Sequence, residues 1–136
     1  SNPENLAIIT PKKMNFTIIT PLPIVMGKGK IIDYTINIFG FPIRWRSIIS
    51  SYKVLKGFTD EQILGPYSFW HHNHHFEKYK NGTLMIDTVT YAMPFGWIGR
   101  LTHRISVRHQ LKDIFDYRAR KLGEIFSEQK KYGVKT

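Results

Sequence analysis

The chain has 136 residues, 42% hydrophobic and 14% aromatic, enough material for one domain around one core, which excludes disorder for its body. It has no cysteine, which excludes a disulfide scaffold, thiolate metal ligands and a cysteine nucleophile. Its 20 Lys and Arg against 10 Asp and Glu give a formal charge of +10, an excess able to steer nucleic acid, an anionic membrane or acidic ligands to a surface.

Residues Asn2 to Ile9 read as a short helix, with Asn2 as cap, Pro3 at the first helical position and Glu4 in the first turn; Thr10 and Pro11 end it. Met14 to Thr20 is rich in β-branched and aromatic residues and reads as a strand. Pro21, Pro23 and Gly27-Lys28-Gly29 then break the pattern. From Lys30 to Phe39 residues alternate, with Tyr34, Ile36 and Ile38 on one side and Asp33, Thr35 and Asn37 on the other, as in a half-buried strand. A turn at Gly40 to Pro42 leads into a strand from Ile43 to Tyr52, where Trp45, Ser47 and Ile49 oppose Arg44, Arg46 and Ile48. Phe58 to Leu64 is a shorter strand ending at Gly65-Pro66.

Tyr67 to Tyr79 and Thr83 to Tyr91 flank Asn81-Gly82, a strong hairpin signal. A turn centred there pairs Lys80 with Thr83, and further out Phe76 with Asp87, His74 with Val89, His72 with Tyr91 and Trp70 with Met93, all on one sheet face. Pro94 to Gly99 reads as a loop, and its Phe95 and Trp97 are suited either to gate a pocket mouth or to staple the next helix to the sheet. That helix is expected from about Ile98 to Lys131, with Leu101, Ile105, Leu111, Ile114, Phe115, Leu122, Ile125 and Phe126 recurring mostly at helical spacing. Much of the positive charge lies between Arg100 and Lys135, where it fits the solvated face of this helix.

A run of strands followed by one long helix indicates an α+β fold: a curved antiparallel sheet of about six strands around a C-terminal helix, in one domain over residues 1–136. No apolar run approaches the roughly 20 residues that span a bilayer, and the start of the chain lacks a signal-peptide pattern. The expectation is a soluble cytoplasmic protein.

The cluster Trp70-His71-His72-Asn73-His74-His75 is the first chemical candidate. His72 and His74 share a strand face, about 6.5 to 7 Å apart, and with Asp87 they make three potential zinc ligands. No fourth ligand and no HExxH pattern is evident, so no metal and no cofactor is expected. The same His72, His74, Asp87 and Tyr91 have the side-chain types for acid–base chemistry, the carboxylate holding an imidazole tautomer and the phenol donating to a developing oxyanion. The alternative is a polar ladder on a cavity wall that orients a bound molecule. A one-residue change of register puts His71 and His75 on that wall instead. Arg44 and Arg46 flank Trp45 as a possible anion clamp or as a plain solvated face. Gly27-Lys28-Gly29-Lys30 lacks the spacing of a phosphate loop.

Pro3-Glu4-Asn5-Leu6 with Ile9-Thr10-Pro11 resembles the second short helix of START-like, or SRPBCC, ligand-binding proteins. Phe58, Asp60, Gln62, Gly65-Pro66-Tyr67, Trp70, His72, His74 and Phe76, then Gly82-Thr83, Asp87, Val89, Tyr91, Pro94-Phe95-Gly96 and Phe115-Asp116-Tyr117-Arg118, resemble the bacterial cyclase/dehydrase-like branch of that superfamily. The resemblance implies a helix-grip fold over a deep hydrophobic cavity, with lipids, sterols, polyketides or similar metabolites as ligands and aromatase/cyclases among the enzymatic relatives. Members of the superfamily begin with a strand and a short helix that precede the stretch resembling Pro3 to Pro11. A sheet lacking that strand has an open edge, which makes a homodimer an expectation.

The expected function is binding of a small hydrophobic molecule between sheet and helix. Trp45, Trp70, Phe76, Val89, Tyr91 and Met93 supply the wall, Leu101, Ile105 and Phe115 close it from the helix, and His72, His74 and Asp87 orient the polar end. The alternative is a cyclase or dehydratase using His72 or His74 as base and Tyr91 as donor. A third reading is a basic surface in which Arg100, Arg104, Arg108 and Lys112, spaced by four on one helix stripe, bind an acidic partner. Nucleic acid is not the expected partner.

Overall fold

The structure, a computed structural model, describes residues 3–94 and 97–132, with side chains described for residues 5–94 and 106–126. The element order is a 3₁₀ turn at Pro3–Leu6, a second at Lys12–Met14, strands β1 (Thr17–Ile18), β2 (Ile31–Ile38), β3 (Phe41–Lys53), β4 (Gly57–Leu64), β5 (Phe69–Tyr79) and β6 (Gly82–Ala92), and helix α1 (Trp97–Tyr132). The strands form one antiparallel sheet in the order β1-β2-β3-β4-β5-β6, every neighbour in space being a neighbour in sequence. The fold is α+β, with a six-stranded open sheet and one C-terminal helix. At 36 residues the helix is about 54 Å long. No described helix is long and apolar enough to cross a membrane.

The alternation in β2 and β3 decides which face is covered. Ile32, Trp45, Ser47 and Ile49 are buried, while Arg46 and Ile48 between the β3 positions are half-buried and Arg44 before them is exposed. Trp45, Tyr67 and Trp70 pack with Val107 of α1 into one cluster, flanked by Tyr34, Ile36, Val89, Tyr91, Met93 and Leu111. A second cluster, Ile24, Ile32 and Ile49, lies under the segment between β1 and β2, and Tyr34 belongs to the fringe of both. The opposite face carries paired charges: Arg46 holds Asp33 through two hydrogen bonds of 2.8 and 3.0 Å, and His71 meets Glu61 at 2.8 Å.

Irregularities in β3 and β4 bend the sheet. The β3–β4 register shifts between Arg46 and Ser47 and again between Ile49 and Ser51. At the start of β4, Gly57 has φ +144°, and a Cβ there would lie 2.0 Å from the carbonyl oxygen of His74. Only glycine lets β4 approach β5 so closely at that point. After β4, the Gln62 amide donates to the Tyr67 carbonyl at 2.7 Å and accepts from the Tyr67 N–H at 3.3 Å, fixing the loop that delivers the Tyr67 ring to the core.

Several expectations are corrected. The helix expected from Asn2 to Ile9 is a 3₁₀ turn at Pro3–Leu6. The strand expected from Met14 to Thr20 is only Thr17–Ile18, because Met14 closes a 3₁₀ turn and Asn15 is left-handed at φ 43°. The β2–β3 turn is Phe39-Gly40, both at positive φ, so Pro42 falls inside β3. There β4 does not reach, its pairing with β3 starting at Arg46, and a proline without N–H is tolerated. The β5–β6 turn is Lys80-Asn81, not Asn81-Gly82, and Tyr79 pairs with Gly82. His74 therefore faces Asp87, His72 faces Val89, Trp70 faces Tyr91 and Phe76 faces Met85. This two-residue slip leaves every side chain on its expected face. It is set by the interior, where it brings an imidazole against a carboxylate and indole against phenol, and these contacts outweigh the local preference of Asn-Gly for a turn.

Candidate functional site

Inside the covered face, four polar side chains from three adjacent strands meet. Asp60 of β4 pairs with His72 of β5, and His74 pairs with Asp87 of β6. Asp60 Oδ1 lies 3.0 Å from His74 Nε2 and 3.4 Å from His72 Nδ1. Asp87 Oδ1 lies 2.7 Å from His74 Nδ1 and 3.2 Å from His72 Nε2. Each imidazole thus bridges both carboxylates, and the two rings are 3.7 Å apart. Both histidines are buried.

Aromatic rings hold the imidazoles in place. Phe58 stacks on His74 at 4.1 Å, Trp70 meets His72 edge-on at 6.2 Å, and Phe115 of α1 meets His72 edge-on at 5.4 Å. Arg118, one helical turn beyond Phe115, brings the guanidinium whose charge acts on Asp60, Asp87 and Tyr34; its Nε–H is buried without a hydrogen-bond partner. Beneath lies Tyr34, stacked on Trp45 at 5.9 Å, while the Trp45 Nε1–H donates to Ser47 at 3.1 Å.

Burial and charge pull the ionisable groups apart. Burial pushes the His72 pKa down, against the pull of Asp87. Burial also opposes a charge on His74, but its hydrogen bonds to Asp60 and Asp87 prevail and raise its pKa. Burial works to raise Asp87, yet the two imidazoles hold its carboxyl far below the usual carboxylate range. Desolvation lowers the Arg118 pKa, with Asp87, Asp60 and Tyr34 opposing. Burial raises Tyr34 well above a free phenol and pushes Tyr67 up to about 12.

The cluster borders open space. A cleft of about 450 Å³ between β6 and α1 is lined by Met85, Asp87, Phe115, Asp116, Ala119 and Leu122. Asp87 is thus shared between the cleft and the buried histidines.

Among the expected wall residues, Trp45 and Trp70 pack into the aromatic cluster, with Val89, Tyr91 and Met93 against it. Tyr91 has the rings of Tyr67 and Trp70 as neighbours, at 5.6 and 6.3 Å. Phe76 is half-buried opposite Met85. Phe115 and Asp87 line the cleft. The side chains of Leu101, Ile105, Arg100 and Arg104 lie outside the described residues, as do Phe95 and Gly96. Arg108 and Lys112 are exposed, and Lys112 pairs with Asp116. His71 and His75 face away from the cluster, toward Glu61 and Glu77. Asp60 and Arg118 are site residues that the sequence does not single out. The carboxylate of Asp60 joins the histidines across a loop that carries no register signal, and Arg118 reads in sequence as one more cation on a charged helix.

No family model, curated protein or solved structure matches the chain.

Proposed function

We propose that the chain binds a small, largely apolar molecule in the cleft between β6 and α1, with the polar end of that molecule received at Asp87. The reading rests on one observation: the carboxylate that lines the cleft beside Met85, Phe115, Ala119 and Leu122 is the one that two buried imidazoles hold in place. An apolar wall with a few fixed polar groups at one end is how small-molecule sites combine affinity with orientation. The resemblance to START-like proteins supports the same reading, in which the sheet and helix form a helix-grip and the occupant is a lipid, polyketide or similar metabolite.

The test is extraction and mass spectrometry of whatever copurifies with the protein, beside Ala119→Trp, which fills the cleft. The reading expects a bound apolar molecule in the wild type and its loss in a folded Ala119→Trp variant. A protein that carries nothing, and that binds no hydrophobic fluorescent probe in competition with extracted lipids, defeats it.

A cyclase or dehydratase is a second reading, favoured by the convergence of two imidazoles and two carboxylates beside the cleft. Incubating the extracted molecule with wild type and His74→Gln, and following loss of water by mass, separates an enzyme from a carrier.

A further inference from the structure

The geometry points to a site for one divalent metal ion of the zinc or iron(II) type, held by Asp60, His72 and His74 and oriented by Asp87. One donor atom from each of the three ligands lies within 4.8 Å of the others. The two edges from Asp60 Oδ1, to His74 Nε2 and His72 Nδ1, are 3.0 and 3.4 Å. A tetrahedral zinc ion with bonds of about 2.0–2.1 Å holds its donors about 3.3–3.4 Å apart. Two of the three edges are thus near the spacing of zinc ligands, and the third lies within 4.8 Å.

Asp87 makes the arrangement specific. Its Oδ1 faces His72 Nε2 at 3.2 Å and His74 Nδ1 at 2.7 Å, so it accepts an N–H from each ring. Those are the tautomers that turn the lone pairs of His72 Nδ1 and His74 Nε2 toward Asp60. Metal-bound histidines characteristically give their second N–H to a carboxylate, which fixes the tautomer and orients the ring. Two imidazole nitrogens and a carboxylate oxygen then converge in a buried place, where they repel one another unless a proton, as in the His74–Asp60 hydrogen bond, or a metal ion sits between them. Two histidines and one carboxylate on one side of a metal leave further positions open, as in zinc and non-haem iron(II) sites. Among the described residues, the charged groups that act on the site are Asp60, Asp87 and Arg118, with Tyr34 beneath and Asp116 along the same cleft as Asp87. Arg118 offsets one carboxylate, leaving one for the metal, so an oxygen anion is suited to an open position.

This inference stands apart from the ligand reading, since it rests on the four-residue ring and not on the cleft. The test uses the tag-free full chain, stripped with a chelator, titrated with Zn(II) by calorimetry and with Co(II) by visible absorption. One equivalent is expected to bind, with Co(II) ligand-field bands of low coordination number. Asp87→Asn is expected to weaken binding by about 10–100-fold, and Asp60→Asn by more. His71→Gln and His75→Gln, on the other face, are expected to change nothing. Absence of saturable binding at micromolar metal, or binding that survives Asp60→Asn and is lost in His71→Gln, overturns the site and leaves a shared proton in its place. If the cluster variants do not fold, imidazole nitrogen NMR of the wild type decides: Zn(II) must move His72 and His74, and resonances that stay put overturn the site equally.

Discussion

His74 stands directly opposite Asp87 across β5 and β6, with Nδ1 2.7 Å from Oδ1. Both side chains are largely withdrawn from water, and the same carboxylate reaches His72 at 3.2 Å. Removing one member of a buried charged cluster leaves the others without compensation. Asp87→Asn is therefore expected to cost about 3–5 kcal/mol of folding stability, read from urea unfolding. A loss below about 1 kcal/mol would place the cluster in the class of solvent-screened surface pairs.

The Asp33–Arg46 pair on the opposite face is different in kind. Its hydrogen bonds to Arg46 hold the Asp33 carboxyl below its usual range. Because the folded value lies below the unfolded one, the pair's contribution is fully present above about pH 4 and is lost as pH falls through the folded value. The Arg46 side chain is 40% exposed, so solvent and salt screen the pair. The stability difference between wild type and Asp33→Asn is expected to be small, flat near neutrality, reduced in high salt and gone in strong acid. A difference that grows on acidification contradicts the sign.

The helix is fastened to the sheet in part through Val107, only 2% exposed among Trp45, Tyr67 and Trp70. Val107→Ala is expected to cost about 2–3 kcal/mol through lost burial and the void it leaves, whereas Arg108→Ala, exposed on the next position, is expected to stay within about 0.5 kcal/mol. Thermal or urea unfolding of the two variants side by side measures the contrast.

The β5–β6 turn predicts an inversion of the usual glycine rule. Lys80 takes φ 51°, whereas Gly82 lies in the β6 ladder, and a Cβ on it would have its nearest neighbour at a comfortable 3.8 Å. Lys80→Gly is expected to be stabilising by about 0.5–1 kcal/mol, since a side chain disfavours that conformation, and Gly82→Ala to be tolerated. If the turn were centred on Asn81-Gly82, the second substitution would be the damaging one.

The contrast between what the sequence reveals and what it hides follows the range of the interactions. The alternation of Trp45, Ser47 and Ile49 reports burial directly, whereas Asp33 to Ile38 are all half-buried and, on the helix, the buried Val107 lies outside the apolar series that ends at the exposed Phe126. His72, His74 and Asp87 are legible as a group because a hairpin joins them and its parity survives a two-residue slip. Asp60 is not legible, because its contact depends on β4–β5 pairing across the Gly65–Ser68 loop, which Gln62 and Tyr67 fix. Arg118 is hidden by context, being one of many cations on α1, and only the packing of Phe115 against His72 shows that this turn of the helix faces the sheet. Met14 and Asn15 mislead for a local reason, since apolar and polar residues that suit a strand are bent into a 3₁₀ turn and a left-handed residue.

The register shift between Ile49 and Ser51 inverts the phase of β3. From Trp45 to Ile49 the odd-numbered positions point inward; beyond the bulge Tyr52 pairs with Phe58 and packs against the core cluster, while Ser51 pairs with Thr59 on the opposite face. Ser50 is thus a one-residue frame shift written into the strand. Were Ser50 paired in a regular ladder, Ser51 and Lys53 would face the interior in place of the phenol ring; deleting it is expected instead to leave Tyr52 inward, two places after Ile49 on a strand without a bulge.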